Sequence, residues 1–461
     1  SYQSTSSRTS SLKAFDFLNE SLGNGNLSAG NPNQQSVANS LTETVMYSYL
    51  GRLNYSFDDK YLATVTMRTD GSSKFGANNR WAVFPSGALG WKMHKENFIS
   101  DLGIFDELKL RASFGVSGNQ GISPYLINSR YGQDQYYVNG GWQTTIGPGY
   151  VIGQDAQSGK KIWGGIPNPD LKWETTSQFN IGGDFAFFNR ALKVTADYYN
   201  KHTTDLLRER LLSPSSSYDR IWVNDGEIQN KGIELTFDGR LINKEDWGLG
   251  GSFIFSKNEN KVVSLGDAVS SGLNTDALTG IKYEFSGSVV EAFRSVPNIL
   301  AVGQPINVFY GYRVDGIIQS EAEGLASGLV GDAAQLGEFK YLDLNEDGVL
   351  NEDDRTIIGN PNPDFQASIN LQARYKQFDL SLFFNGSFGQ DIFNTKRFGE
   401  PSNQPLRWTQ DNPTNNYPSL REGRNLFMSD WYIEKGSFVR LQNVSFGYKF
   451  KDLSKACISS G

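Results

Sequence analysis

A chain of 461 residues with a formal charge of −7 and a pI near 5.2 offers no basic face for nucleic acid. Its single cysteine, Cys457, excludes an intramolecular disulfide framework, and no apolar run approaches the ~18–20 residues of a transmembrane helix. Gly (49) and aromatic residues (13%) run high while Met (4) is scarce, a mix that favours strands and turns. A mean hydropathy of −0.45 stays compatible with a transmembrane barrel, whose lumen-facing residues alternate with lipid-facing ones.

Residues 1–43 are polar and rich in Ser, Asn and Gly, and read as a loop segment. The chain opens on Ser1 and has no positively charged start followed by an apolar stretch, so it reads as part of a longer or processed polypeptide. From Thr44 the pattern changes. In "YLATVTMRTD" Tyr61, Ala63, Val65 and Met67 share one face, and Thr64, Thr66, Arg68 and Asp70 share the other with Leu62. Successive side chains on a strand point to opposite faces, so this is a two-faced strand. The pattern recurs in "KLRASFGVS", "ETTSQFNIGGDFAFF", "GIELTFDGRLI", "FQASINLQARY" and "FVRLQNVSFGYKF". It predicts strands at about 44–57, 60–70, 80–93, 105–118, 171–188, 191–205, 231–243, 247–260, 364–376, 378–388 and 437–450. Most have the ~9–11 residues that a tilted strand needs to cross a bilayer.

The connections alternate in length. Very short links at 58–59, 189–190, 243–246 and 376–377 alternate with very long ones at 119–170, 206–230, 261–363 and 389–436; 94–104 is a moderate exception on the short side, and 71–79 is short for the long side. Outer-membrane barrels have short periplasmic turns and long extracellular loops, whereas a soluble multi-sheet protein has no reason for such parity. The predicted fold is all-β, a transmembrane antiparallel barrel occupying 44–461. Residues 1–43 and 261–363 then lie among the extracellular loops, and Phe179, Ile181, Phe365, Ile369 and Leu371 face lipid. Tyr47, Tyr49, Tyr55, Phe57 and Tyr61 are expected to flank one short turn as an aromatic girdle, and Phe185, Phe187 and Phe188 another. Ordinary packing of a soluble sheet would use the same residues.

"YLDLNEDGVLNEDD", Tyr341 to Asp354, carries the most explicit chemistry. Asp343, Asn345 and Asp347 fall at positions one, three and five of a twelve-residue calcium loop, and Gly348 sits at six, where the chain must turn sharply. The Val349 carbonyl falls at seven, Asn351 at nine and Asp354 at twelve. Oxygen-only donors suit Ca²⁺ over a transition metal. The expected role is a structural staple in an external loop, since a sensor needs flanking amphipathic helices and "NPNPDF" plus a strand follows here. The alternative is an acidic turn with no ion. Nothing points to an enzyme. His94 and His202 are the only histidines, with His94 expected to be solvated, and the Gly-rich stretches "GGIPNPDLKWE" and "DGSSKFG" lack phosphate-loop spacing and read as turns. Tyr125, Tyr131, Tyr136, Tyr137, Trp142 and Trp163 in the 119–170 loop could stack on sugars or pack the loop.

Four separated blocks resemble the SusC-like family of TonB-dependent outer-membrane transporters. They are "YSYLGRLNYSFDDKYLATVTMRTDGSSKFGANNRWAVFPSGALGWKM", "NPDLKWETTSQFNIGGDFAFFNRALKVTADYYNKHTTDLL", "GEFKYLDLNEDGVLNEDDRTIIGNPNPDF" and "DWYIEKGSFVRLQNVSFGYKF". The resemblance implies a roughly 22-stranded barrel with a plug inside, of which this chain is a central to C-terminal part. It implies a Gram-negative outer-membrane location and a SusD-like lipoprotein lid. It also implies import of glycan fragments or peptides, driven by a TonB complex that acts through a plug segment absent from this chain. A passive porin or adhesion barrel is the second reading, and a secreted calcium-stapled glycan-binding β protein the third.

Overall fold

The computed structural model describes residues 1–17, 26–31, 35–129, 131–138, 140–148, 151–154, 161–163, 166–212, 220–266, 273–398, 405–420 and 426–450. One 12-stranded antiparallel sheet forms a wall. Its strands are β1 (Tyr2–Lys13), β2 (Ser36–Phe57), β3 (Tyr61–Ser72), β4 (Trp81–Lys92), β5 (Glu107–Asn119) and β6 (Glu174–Phe187). They continue as β7 (Leu192–Thr204), β8 (Glu227–Asn243), β9 (Trp247–Ser264), β10 (Phe365–Tyr375), β11 (Phe378–Phe388) and β12 (Phe438–Tyr448). Spatial order follows chain order throughout, so every strand pairs with its sequence neighbours in up-and-down fashion. Successive connections therefore leave opposite rims: the longest share one rim with the shorter 73–80 link, and the tight turns share the other with the 93–106 link.

The short turns use backbone that only a few residues tolerate. Asp58 and Asp59 both take left-handed conformations (φ 50° and 47°), the pair of positive angles that matches the twist of a two-stranded hairpin. Phe188, Asn189 and Arg190 do the same at the next turn (φ 59°, 55° and 60°). Asp59 also pairs with Lys92 at 2.6 Å and with Lys95. These lysine hydrogen bonds hold its carboxyl down to about 2, fully ionised at any physiological pH.

Alternation sorts the faces. Leu53, Val65, Leu89, Phe114 and Ile181 are exposed on the convex side, with Leu53 70% accessible. Phe179, Ile369 and Leu371 are exposed there too, and Phe365 shares their parity while stacking on Phe388 at 4.7 Å. No described helix is long and apolar enough to cross a membrane; the strands carry the apolar face. Aromatic rings concentrate at two levels. Phe57–Tyr61, Tyr61–Trp91 and Trp247–Tyr375 contacts (6.4, 6.1 and 4.5 Å) mark the short-turn rim. Tyr2, Tyr47, Tyr49 and Trp81 cluster toward the other (5.0–6.5 Å). Tyr47 and Tyr49 thus belong to the far girdle, not to the turn at 58–59, because β2 climbs a full bilayer crossing between Phe57 and Tyr47.

The loop expected over 1–43 is instead largely a hairpin. Tyr2–Lys13 pairs in register with Ser36–Tyr47, making twelve wall strands where eleven were expected. Its backbone pairs as a ladder, and Ser and Thr suffice as side chains because no apolar face is needed past the girdle. β1 and β12 form the sheet edges, and β1 covers only Ser36–Tyr47 of β2. Unpaired edges do not survive in hydrocarbon, so this wall is one sector of a closed barrel.

Candidate functional site: the lumen face and the capped mouth

The concave face is polar and cross-linked. Arg111 on β5 reaches Asp184 on β6 (3.0 Å) and Asp197 on β7 (3.1 Å), tying three strands, and Thr195 donates to Asp184 at 3.3 Å. Arg68 grips Asp70 (2.7 Å) and touches Ser48. Gln178, Asn180 and Ser113 form a chain of amide and hydroxyl bonds (2.6 and 3.1 Å), and Tyr199 donates to Asn258 at 2.9 Å. A cleft of about 390 Å³ runs between Arg52, Thr66, Ser86, Ser117, Gln178 and Asn180. Such a surface offers donors and acceptors of both signs to a polar solute and presents no dominant charge to trap one.

Above the long-loop rim the chain builds a second, compact body. Short strands at Asn274–Thr275, Lys282–Ser286, Asn298–Ala301, Val308–Gly311 and Thr356–Gly359 form a five-stranded sheet. Tyr283, Ile299, Ala301, Val308 and Tyr310 pack beneath it. The 389–436 loop folds onto it: Trp408 joins Tyr312, Ile317, Phe339 and Tyr341, while Met428 and Tyr432 join Phe293 and Phe309. We call this body the cap. The Tyr310 hydroxyl donates to Asp276 at 2.8 Å, and burial, reinforced by that bond, pushes it well above the ordinary tyrosine range. Arg208 and Arg210, on a hairpin of the 206–226 connection, hold Asp225, and Arg208 also bonds Glu284 and the Leu265 carbonyl (2.5 Å), clamping that hairpin to the cap. A smaller core of Phe75, Ile122, Leu126, Leu171 and Trp173 gathers the 73–80 and 120–173 connections at the same rim, with Leu207 and Trp222 of the 206–226 hairpin packed against it.

The proposed metal loop sits on the cap. Gly348 turns with φ 81° and donates its N–H to Asp343 at 2.8 Å. Asn345 and Asp347 each accept the N–H two residues on (3.0 and 2.8 Å). Asp354 is fully buried and accepts from Leu344 and Asn351 (both 2.9 Å). Asn351 caps the turn at Glu352–Asp354 by accepting the Asp353 N–H (2.8 Å), and its amide donates to the Val349 carbonyl (3.3 Å). The local turn is therefore formed, yet no group of three or more His, Cys, Asp or Glu residues among those described is gathered closely enough to hold an ion. One oxygen is unsatisfied: Asp343 Oδ1 is buried without a partner. The donor set is all oxygen, which fits calcium, and a cation is the natural partner for that orphaned atom.

His94 and His202 stand at opposite rims. His94 is half-buried against the Leu108 backbone (3.2 Å) rather than solvated, and His202 meets Glu227 at 2.9 Å. Tyr125 accepts the Glu43 N–H at 2.8 Å and ties the loop to β2, while Tyr137 is exposed. The side chains of Tyr131, Tyr136, Trp142 and Trp163, and all of Cys457, lie outside the described residues. Phe75 in "DGSSKFG" and Trp173 in "GGIPNPDLKWE" are core residues that turn-like composition concealed; an isolated large aromatic inside a Gly-rich stretch was the available signal.

A family profile described as "TonB dependent receptor-like, beta-barrel" matches residues 2–456. The chain belongs to the TonB-dependent receptor β-barrel family. Its place is accordingly the outer membrane of a Gram-negative bacterium, with the long-loop rim outward. TonB-dependent receptor P3 of Formosa agariphila is 35% identical over 98% of this chain and 43% of its own length. TonB-dependent receptor SusC of Bacteroides thetaiotaomicron is 29% identical over 90% of the chain and 39% of its own length. The structure titled as that of the RagAB peptide transporter superposes with a TM-score of 0.73 at 24% identity, covering 97% of this chain and 46% of that one. The chain thus spans less than half the length of the relatives it matches. Membership removes the secreted, soluble reading.

Proposed function

We propose that the intact protein containing this wall is an active importer of SusC type, drawing glycan fragments or peptides through the barrel with TonB-derived energy beneath a SusD-like lipoprotein. The observation that carries the reading is the folded cap. A passive pore has no need of a folded body at its mouth, whereas two of the longest connections here converge into one packed body suited to seating a lid. The mixture of both charges on the lumen face supports a polar cargo without strong net charge, and the name of the RagAB peptide transporter supports the peptide class.

Calcium belongs to the same proposal. Asp343, Asn345, Asp347, the Val349 carbonyl and Asp354 would hold it, and its contribution would be to neutralise crowded carboxylates and fix the turn leading into β10. The function is tested by uptake of labelled oligosaccharides and oligopeptides into cells expressing the intact protein, with and without TonB. Uptake of one class that stops without TonB, together with co-purification of a surface lipoprotein, is the expected result. Uptake that continues without TonB would make this a passive pore.

A further inference from the structure

A charged cleft stands where β9 parts from β10, just outside the lipid-facing band. From Trp247 to Phe255, β9 covers the ~9–11 residues that a tilted strand needs to cross hydrocarbon, with Trp247, Leu249, Phe253 and Phe255 on its outward parity. Phe255, Phe365 and Phe388 close this band as an aromatic row (5.6 and 4.7 Å). The last β9–β10 pair is Ser256 with Gln366. Beyond it β9 continues as Lys257, Asn258, Glu259, Asn260 and Lys261, beside the 360–364 segment. The gap between them is a cleft of about 390 Å³ that takes in Lys231, Lys257, Glu259, Lys261, Asn362 and Asp364.

Register fixes which way these side chains point. Lys231 pairs with Glu259 and Ile233 with Lys257 across the β8–β9 ladder, so the lysines share the outward face of exposed Ile233 and Phe237. Lys261, two further along, shares it too. The Asn230–Asn258 and Tyr199–Asn258 bonds occupy the opposite, lumen face. Glu259 sits between two lysines, 3.1 Å from Lys231 and 3.4 Å from Lys257, and all three side chains remain about half exposed. Three cations against the carboxylates of Glu259 and Asp364 leave a net positive cleft directly above an aromatic girdle. The lysine side of the cleft faces outward at the level of headgroups, while the cap's Gly303 and Pro305 and the lumen-side Asn258 and Asn260 close its back.

We propose that this cleft binds the phosphate of an outer-leaflet lipid headgroup, with the acyl chains lying against Phe255, Phe365 and Ile233. The proposal needs the wall to stand in a membrane but is independent of cargo, TonB or calcium. Charge complementarity and continuity with the apolar band select a lipid over a soluble anion: a phosphate held here has hydrocarbon immediately below it. The small charge excess and the two aromatic walls suit one phosphate per site rather than a polyanion.

The test uses the intact protein in neutral phosphatidylcholine nanodiscs, probed by native mass spectrometry with lipid A and with its dephosphorylated form. Preferential retention of the phosphorylated lipid is expected. Each Lys→Gln change at 231, 257 or 261 should reduce retention about fivefold, and Lys→Arg should preserve it. Equal retention of both lipids, or retention unchanged in the triple glutamine variant, overturns the proposal. So does equally tight binding of inorganic phosphate without lipid, which would make the cleft an anion site. Loss of a co-purifying protein with lipid unaffected would make it a protein contact and would also overturn it.

Discussion

The wall and the cap are stabilised in opposite ways. The wall hides almost no side chain completely: Leu53, Leu89 and Ile181 are exposed on one face, and the other is lined by polar groups. Its cohesion is the antiparallel ladder, with lipid replacing a core. The cap has short strands and little ladder, but Ile299, Val308 and Tyr432 are wholly or almost wholly buried, as in an ordinary water-soluble domain. One chain therefore folds by two solvents' rules. In hydrocarbon the backbone must be satisfied and side chains need only be apolar. In water, close packing of side chains carries the stability.

The largest break in this comparison should come from the cap core. Phe309→Ala removes a ring that packs near Phe393 (6.2 Å) and beside Tyr432, and should cost about 3–5 kcal/mol. Limited proteolysis should then cut within 273–363 while the wall keeps its heat-modifiable migration on gels. Simultaneous loss of both would mean that the two regions are one cooperative unit. Next, Ile369→Arg places a charge on the lipid face near mid-strand and should destabilise the wall by about 2–4 kcal/mol. Its neighbour Ser368→Arg, at the same depth on the lumen face, should stay within about 0.5 kcal/mol. Urea midpoints in lipid vesicles compare the two, and equal shifts would undo the assignment of faces.

The smallest effect is expected at the acidic loop. Asp354→Ala strands the Leu344 and Asn351 N–H groups and should loosen the loop by about 1–3 kcal/mol, with or without metal. Asp347→Ala should abolish calcium binding and loosen the loop while the wall stays folded. Isothermal titration of the chelator-treated intact protein separates them. If the unsubstituted protein gives no heat with calcium, the stretch is an acidic turn closed by its own backbone.

What the sequence disclosed follows the same division. Strands β2 to β12 were legible because lipid imposes a period of two, as in Phe365, Ala367, Ile369 and Leu371. β1 was not, because "STSSRTSS" pairs above the girdle, where no apolar face is required. The cap was legible only as loop length. Its core gathers Phe293, Phe309, Met428 and Tyr432 from two separate connections, and no local pattern announces contacts between distant segments. The calcium-loop spacing was local and readable. That Asp354 turns inward to satisfy backbone N–H groups was not, because spacing fixes a residue's position along a loop and not where its oxygens point.

The parting of β9 from β10 also has a mechanical meaning. Past Ser256, β9 stays zipped to β8 up to Glu227, and its free side takes bonds from the cap: Val262 N–H to the Gln304 carbonyl (2.9 Å) and Gly303 N–H to the Val262 carbonyl (2.8 Å). The cap is thus mounted on a stiff two-stranded post that rises out of the wall, rather than tethered by slack chain. A second paired extension, Asp391–Phe393 with Ile433–Lys435, rises beyond β11 and β12, so a load on the cap is shared between two arcs of the wall, β8–β9 and β11–β12.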